Sequence, residues 1–327
     1  MKAFVHENGE LRFTDIAEPK AAEGEVIVAL KAAGLNRRDT NIPRRRGDVK
    51  DPLVLGSDGA GIIESVGEGV KNWNVGDEVI INPSLRWFEK SHAPSVDFDI
   101  LGMPDHGTFA EKICISAEQL EKKPAYLTWD ESAVIALAGL TGYRALVTKG
   151  QIKEGQTVFI PGAGSGVATF IIQFAKQIGA RVIVSSRSEE KRDHAVTIGA
   201  DLAIDTNGDW QEELKNESID LVIESVGRAT FNRSLDVLKP GGHIVVFGAT
   251  TEDTVDLNLR EFFYGQYTLL GTTMGSREEL REMLSFIEEY KIHPVIDSVL
   301  PLSKTEEAFS KLGDSVQFGK IVLQTEQ

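Results

Sequence analysis

The stretch "TVFIPGAGSGVATFIIQFAK", Thr157–Lys176, constrains the fold more than any other. Thr157–Ile160 reads as a strand. The small residues Gly162, Ala163, Gly164, Ser165, Gly166 and Val167 follow it. Ile171, Phe174, Ala175 and Ile178 then recur at the three-and-four spacing of a helix buried on one face. Small residues let a backbone turn tightly and approach a pyrophosphate. The helix start offers it unpaired N–H groups and the positive end of a dipole. The strict G-x-G-x-x-G spacing is met in no register. Two other glycine-loop chemistries are excluded. A Walker loop needs Lys after its last glycine, and Val167 stands there; a nucleophile elbow needs glycines flanking Ser165, and Ala163 and Val167 stand there.

Strand-like runs at Arg181–Ser185, Leu202–Ile204, Leu221–Glu224, His243–Phe247 and Tyr267–Leu270 alternate with helical stretches around this loop. Such alternation implies a parallel sheet covered by helices on both faces, an α/β fold. The strand after the loop ends in Ser185-Ser186-Arg187, with Lys191 beyond. An acidic residue there would bind a ribose 2′-hydroxyl. Hydroxyls with two cations instead suit a 2′-phosphate, so the expected cofactor is NADP(H). Arg187 and Lys191 also suit a solvated helix start paired with Glu189 and Glu190.

A chain of 327 residues is long for one core, so two domains are expected. The first 120 or so read as short strands, Lys2–His6, Val26–Ala32, Gly59–Val66, Val79–Asn82 and Phe109–Ile115, without a long helical period. One apolar helix is expected from Thr128 or Asp130 to about Val147. Pro83–Gly107 has little periodicity and reads as a packed surface lobe or a substrate-lining loop. The tail reads as strand, helix, strand, too short for a core of its own.

The net charge of −15 disfavours nucleic acid and anionic membranes. One cysteine, Cys114, excludes an internal disulfide and a cysteine-built zinc site, and it reads as a small apolar filler. The start lacks the apolar run of a signal peptide, and no run approaches a membrane span, so the expected location is the cytoplasm. His106 is a candidate to face the substrate cleft.

In order along the chain, "VGDEV" (Val75–Val79), "LAGLTGYRAL" (Leu137–Leu146), the Gly162 loop, "GGHIVVFG" (Gly241–Gly248) and "FGKIVL" (Phe318–Leu323) resemble the medium-chain dehydrogenase/reductase superfamily. The resemblance implies a GroES-like β-rich catalytic domain over 1–124, a Rossmann domain over 125–275, and a segment 276–327 returning to the first. It adds Phe247, Gly248 and Lys320 to the cofactor contacts and implies a homodimer built on the strand at Tyr267. Zinc alcohol dehydrogenases of the superfamily carry metal ligands where this chain has Asn36, Ser57-Asp58 and Leu137. Their structural zinc takes four cysteines from the lobe matching Pro83–Gly107, which has none. The chain is therefore more similar to the zinc-free quinone oxidoreductase branch. The implied reaction is NADPH-dependent reduction of a small electron-poor acceptor, a quinone or an α,β-unsaturated carbonyl. Alcohol oxidation and cofactor binding with little catalysis are the alternatives.

Without a metal, a hydrogen-bond donor must hold the acceptor's oxygen. Asn36 is the first candidate, with a turn-capping role as its alternative. Thr141 is the second, against a hydroxyl bonded within its own helix. The segment "NRRDTNIPRRRGDVKDP" has no tyrosine acid, so water is expected to supply the proton. Its cations Arg37, Arg38, Arg44, Arg45, Arg46 and Lys50 read as a solvated loop or as a mouth for an anionic substrate.

Overall fold

An Asn-Gly pair starts the chain's first hairpin. Asn8 and Gly9 both take positive φ between β1 (Lys2–Glu7) and β2 (Glu10–Asp15), the backbone that a two-residue hairpin turn requires. The computed structural model describes residues 1–325. It divides into two units, Met1–Leu140 with the chain from Gly275 onward, and Thr141–Met274. Residues 125–140 thus pack with the first unit.

The main sheet of the first unit starts with β3 (Glu25–Leu35). Helix α1 (Arg37–Arg46) and the short β4 (Leu53–Val54) follow. Next come β5 (Asp58–Val66), β6 (Glu78–Ile81), the paired β7 (Ser84–Leu85) and β8 (Asp99–Ile100), β9 (Lys112–Ser116) and β10 (Leu120–Lys122). Strands β3 and β5 lie so close that a Cβ at Gly61 would sit 2.2 Å from the Ala29 carbonyl oxygen. The glycines of the 55–70 stretch therefore serve strand packing. Val28, Leu30, Ile63, Val79 and Ile113 fill one side of the sheet.

Helix α1 contradicts the reading of residues 37–50 as loop. Asn36 is its N-cap, the Asp39 carboxylate accepts the Asn36 N–H at 2.8 Å, and Ile42 is buried. Pro43 lies inside the helix and masks it in the sequence. The single helix expected over 128–147 is also corrected. Thr128 caps α2 (Trp129–Ser132), α3 (Ala136–Tyr143) follows a break, and a π-helical stretch runs over Arg144–Lys149. A distant acceptor takes the first-turn N–H of α3, as described below.

The second unit carries β11 (Thr157–Pro161), α4 (Gly166–Ile178), β12 (Arg181–Ser186), α5 (Glu189–Thr197), β13 (Leu202–Asp205), α6 (Trp210–Glu213), β14 (Ile219–Glu224), α7 (Phe231–Val237), β15 (Leu238–Val246), α8 (Leu259–Tyr264) and β16 (Thr268–Gly271). The six strands are parallel in the order β13-β12-β11-β14-β15-β16. The order reverses between β11 and β14, the switch point at which such sheets bind ligands. Phe159, Ile183, Val222 and Ile244 form its core with Trp210 and Phe231. At the β16 edge Leu269 is exposed, as are Phe263 and Tyr264 on α8.

The chain then returns. After α9 (Arg277–Glu289), β17 (Ile296–Pro301) and α10 (Thr305–Gly313), β18 (Lys320–Gln324) pairs parallel with β17 and antiparallel with β3. The first sheet is complete only with the tail of the chain.

Candidate active site

In the second unit, Gly162 follows β11 with φ +83°, a conformation that favours glycine. A Cβ there would also lie 3.2 Å from Val226 of the loop after β14. Gly162 N and Ala163 N both donate to the Ser185 carbonyl at 3.0 Å, which ties the turn to the end of β12. Ser165 caps α4, its Oγ accepting from Ala168 N at 3.0 Å. The N–H groups of Gly166 and Val167, with Gly164 beside them, open the helix as donors for an anion. These residues fit the pyrophosphate of a dinucleotide.

The predicted 2′-phosphate contacts divide. Ser185 is fully buried and its Oγ bonds Thr206 Oγ1 at 3.1 Å, so its part is to hold the turn. Ser186 Oγ accepts from Ser188 N, and Ser188 caps α5 by accepting from Lys191 N. Arg187 is exposed at that helix start. Arg192, which sequence reasoning passed over, donates to the Ser186 carbonyl at 2.8 Å.

Phe247 and Gly248 follow β15, where Phe247 N donates to the Glu224 carbonyl at 3.1 Å. Glu224 is a second missed residue. Fully buried at the end of β14, its carboxylate accepts from Val226 N at 2.7 Å, Gly227 N, Thr230 Oγ1 and Ser234 Oγ. It shapes the loop that faces Gly162. Its sequence signal is an acid closing a strand, followed by Gly227 and Thr230. Thr141, on α3, is buried.

The first unit brings together Asn36, Asp58 and Lys320. Asn36 ends the β3 connection, Asp58 starts β5, and the pairing of Ile321 with Leu35 sets Lys320 beside both. Lys320 Nζ donates to Asn36 Oδ1 at 2.5 Å and to the Leu35 carbonyl at 2.9 Å, and lies 3.5 Å from Asp58 Oδ2. Asn36 Nδ2 donates to Asp58 Oδ2 at 3.0 Å and to the Gly34 carbonyl at 3.4 Å. Leu137 N, in the first turn of α3, donates to Asp58 Oδ1 at 2.7 Å.

Burial pushes the Asp58 carboxyl up and the Lys320 amine down, and their mutual approach opposes both shifts. Three acceptors surround Nζ, whereas a neutral amine has only two hydrogens; three donors face the Asp58 carboxylate. This set of partners suits an ammonium beside a carboxylate, each charge offsetting the burial of the other. It also fixes the amide of Asn36, whose oxygen must face the ammonium and whose nitrogen must face the carboxylate. Lys320, read as a cofactor contact, has its Nζ turned to this network.

Beneath it, Ser57 Oγ donates to Asp39 Oδ1 at 2.7 Å and accepts from Arg38 Nη1 at 2.7 Å. Arg38 also donates to the carbonyls of Leu101 and Ile100.

This donor set does not fit zinc. Ser57 is turned to Asp39 and Arg38, Leu137 offers carbon, Asn36 Oδ1 and Asp58 Oδ2 already face a cation, and Asp58 Oδ1 accepts from Leu137 N. Among the described residues no cluster of three or more His, Cys, Asp or Glu could hold a metal.

In the lobe, Arg86 donates to the Asp97 carbonyl at 2.6 Å and pairs with Asp99 and Asp105, while Trp87 packs edge-on against Phe98. The carbonyls of Trp87 and Phe88 accept the first N–H groups of α9. Pro83–Gly107 is thus a packed lobe held by a guanidinium. Arg37 donates to the Leu312 carbonyl and Arg46 to the His6 carbonyl, which leaves Arg44, Arg45 and Lys50 exposed. His106 Nδ1 accepts from Val54 N at 3.1 Å, and burial lowers its pKa. Burial first, then Glu25, pushes the Cys114 thiol up to about 12, so it is not a nucleophile at neutral pH.

The family model for the alcohol dehydrogenase GroES-like domain matches residues 22–125, and that for zinc-binding dehydrogenases matches residues 166–289. An acryloyl-coenzyme A reductase of Metallosphaera sedula is 34% identical, the match covering 99% of this chain and 100% of the relative. Among solved structures, an NAD-dependent alcohol dehydrogenase has a TM-score of 0.92 at 34% identity, with all of both chains covered. A 2-octenoyl-CoA carboxylase reductase in complex with NADP and 2-octenoyl-CoA has a TM-score of 0.88 at 26% identity, covering 99% of this chain and 87% of its own. With both family models matched in order on a GroES-like unit and a six-stranded parallel sheet, the chain belongs to the medium-chain dehydrogenase/reductase superfamily.

Proposed function

We propose that the protein is an NADPH-dependent reductase of electron-poor acceptors, α,β-unsaturated carbonyls or quinones, working without zinc. The observation that carries this reading is Lys320 Nζ between Asn36 and Asp58, two positions that the resemblance matches to metal ligands of zinc-dependent members. Alcohol oxidation needs an electrophile on the alkoxide oxygen; a conjugated acceptor needs only a donor at its oxygen. The names of the acyl-CoA reductase relatives support a conjugated thioester as one acceptor.

NADPH, when bound, would supply a hydride; its addition at the β-carbon of such an acceptor would shift an electron pair to the carbonyl oxygen and leave a proton to be added at the α-carbon. Asn36 holds that oxygen. One of its hydrogens is committed to Asp58. The other makes the long 3.4 Å contact to Gly34, a weak bond that an acceptor oxygen replaces. No tyrosine lies on α1; water is the proton source in this reading. In the second unit the Gly162–Val167 turn holds the pyrophosphate. Arg187 pairs with the 2′-phosphate, and no acidic residue ends β12 to repel it. The structural relative named for NAD favours the other cofactor.

Cofactor oxidation by the purified protein tests both points. A quinone, an enal and an enoyl thioester are each offered with NADPH and with NADH, before and after EDTA. Turnover with NADPH that exceeds NADH and survives chelation is expected. Turnover of a primary alcohol with NAD⁺ that chelation abolishes and zinc restores would contradict the proposal.

A further inference from the structure

We propose that Lys320 is a positioning residue that polarises Asn36, its ammonium strengthening the donor that Asn36 presents to the acceptor oxygen. The inference rests on the reductase reading above and says how the site does without a Lewis acid.

The geometry is that of a relay through one amide. Lys320 Nζ sits 2.5 Å from Asn36 Oδ1 and bonds the oxygen end of the side chain; the nitrogen end is left to donate. A cation on an amide oxygen draws electron density from its nitrogen, so the N–H bonds become more polar. Chained hydrogen bonds strengthen one another in this way, most where water is excluded. Water is excluded here: Lys320 is 3% exposed and Asp58 fully buried, while Asn36, at 7%, is the most exposed of the three. The charge is hidden and its effect reaches the acceptor through Asn36.

Asp58 completes the arrangement. It balances the ammonium, takes one Asn36 hydrogen at 3.0 Å, and its other oxygen fixes Leu137 N. The amide can then neither flip nor swing, and its second hydrogen has one direction left. A weakly electrophilic enone depends on this pull more than a quinone does, since a quinone accepts electrons readily without help.

The test compares Lys320→Met and Lys320→Arg with the wild type on a quinone and on an enone of low reactivity. NADPH affinity is followed by fluorescence. Lys320→Met is expected to lower kcat on the enone about tenfold, less than the ~10²–10³ lost with a direct oxyanion donor. Quinone turnover should fall far less, with KM and NADPH affinity kept. Lys320→Arg should restore most of the enone rate. The infrared carbonyl stretch of a bound enone should lie at lower frequency in the wild type than in Lys320→Met. If Lys320→Met fails to fold, Asp58→Asn/Lys320→Met removes both charges together and is read in the same way. An equal loss on both acceptors with an unshifted carbonyl band overturns the proposal while the reductase reading stands. A wild type inert towards both acceptors overturns the reductase reading itself.

Discussion

Asp39 is the buried acid with a charged neighbour beneath the network. It is fully buried, and burial raises its pKa from 3.8 to about 6 against the pull of Arg38, Ser57 and the Asn36 N–H. The unfolded chain has the lower value, so the folded state binds the extra proton between about pH 4 and 6. The contribution to stability is complete below pH 4 and is lost as pH rises through 6, about 3 kcal/mol in all at ~1.4 per unit. Asp39→Asn keeps one acceptor for the Asn36 N–H and can donate to Ser57. Urea unfolding from pH 4 to 7 should show a smaller fall in stability for this variant than for the wild type. Equal slopes would show that Asp39 does not titrate in that window. Motifs at Asn36 and at Ser57-Asp58 made these residues legible before any fold was known. Lys320 lies 262 positions from Asp58 and was not legible as their partner. Only the register of β18 on β3 brings it there.

Local pattern found the elements that carry local signals. The strand, loop and helix at Thr157–Ile178 follow the sequence closely because turn, cap and apolar stripe agree. Helix α1 escaped because Pro43 breaks the pattern inside it. The helical run after Thr128 was legible, but its break was not. Asp58 lies 79 positions from Leu137, whose N–H it takes, and no window of sequence contains both. At β12 and α5 the reading of Ser185 as a phosphate contact gave way to a buried hydroxyl paired with Thr206, while Arg187 stayed exposed. Arg187 is the exposed cation proposed above for the 2′-phosphate. Arg187→Ala should weaken NADPH binding about tenfold, the worth of one charge-assisted contact, and leave NADH binding unchanged. Fluorescence titration with both cofactors measures it, and parallel losses would move the preference elsewhere.

At the scale of the molecule, a sheet that closes only with the tail of the chain joins β18 to β3, and that single closure assembles the ammonium site. The return was legible from the order of motifs, not from any one of them. The lobe at Pro83–Gly107 was left open by the sequence because Arg86 and its aspartates replace a recognisable metal motif with ordinary charges. The reduction proposed for this site adds hydride to the far end of a conjugated acceptor rather than to its carbonyl carbon. NADPH carrying deuterium at its transferable position, given to the protein with a conjugated enal in ordinary water, tests it in one product spectrum. The account predicts deuterium at the β-carbon, an unlabelled hydrogen at the α-carbon and an intact carbonyl. Deuterium on the carbonyl carbon of an allylic alcohol would contradict it.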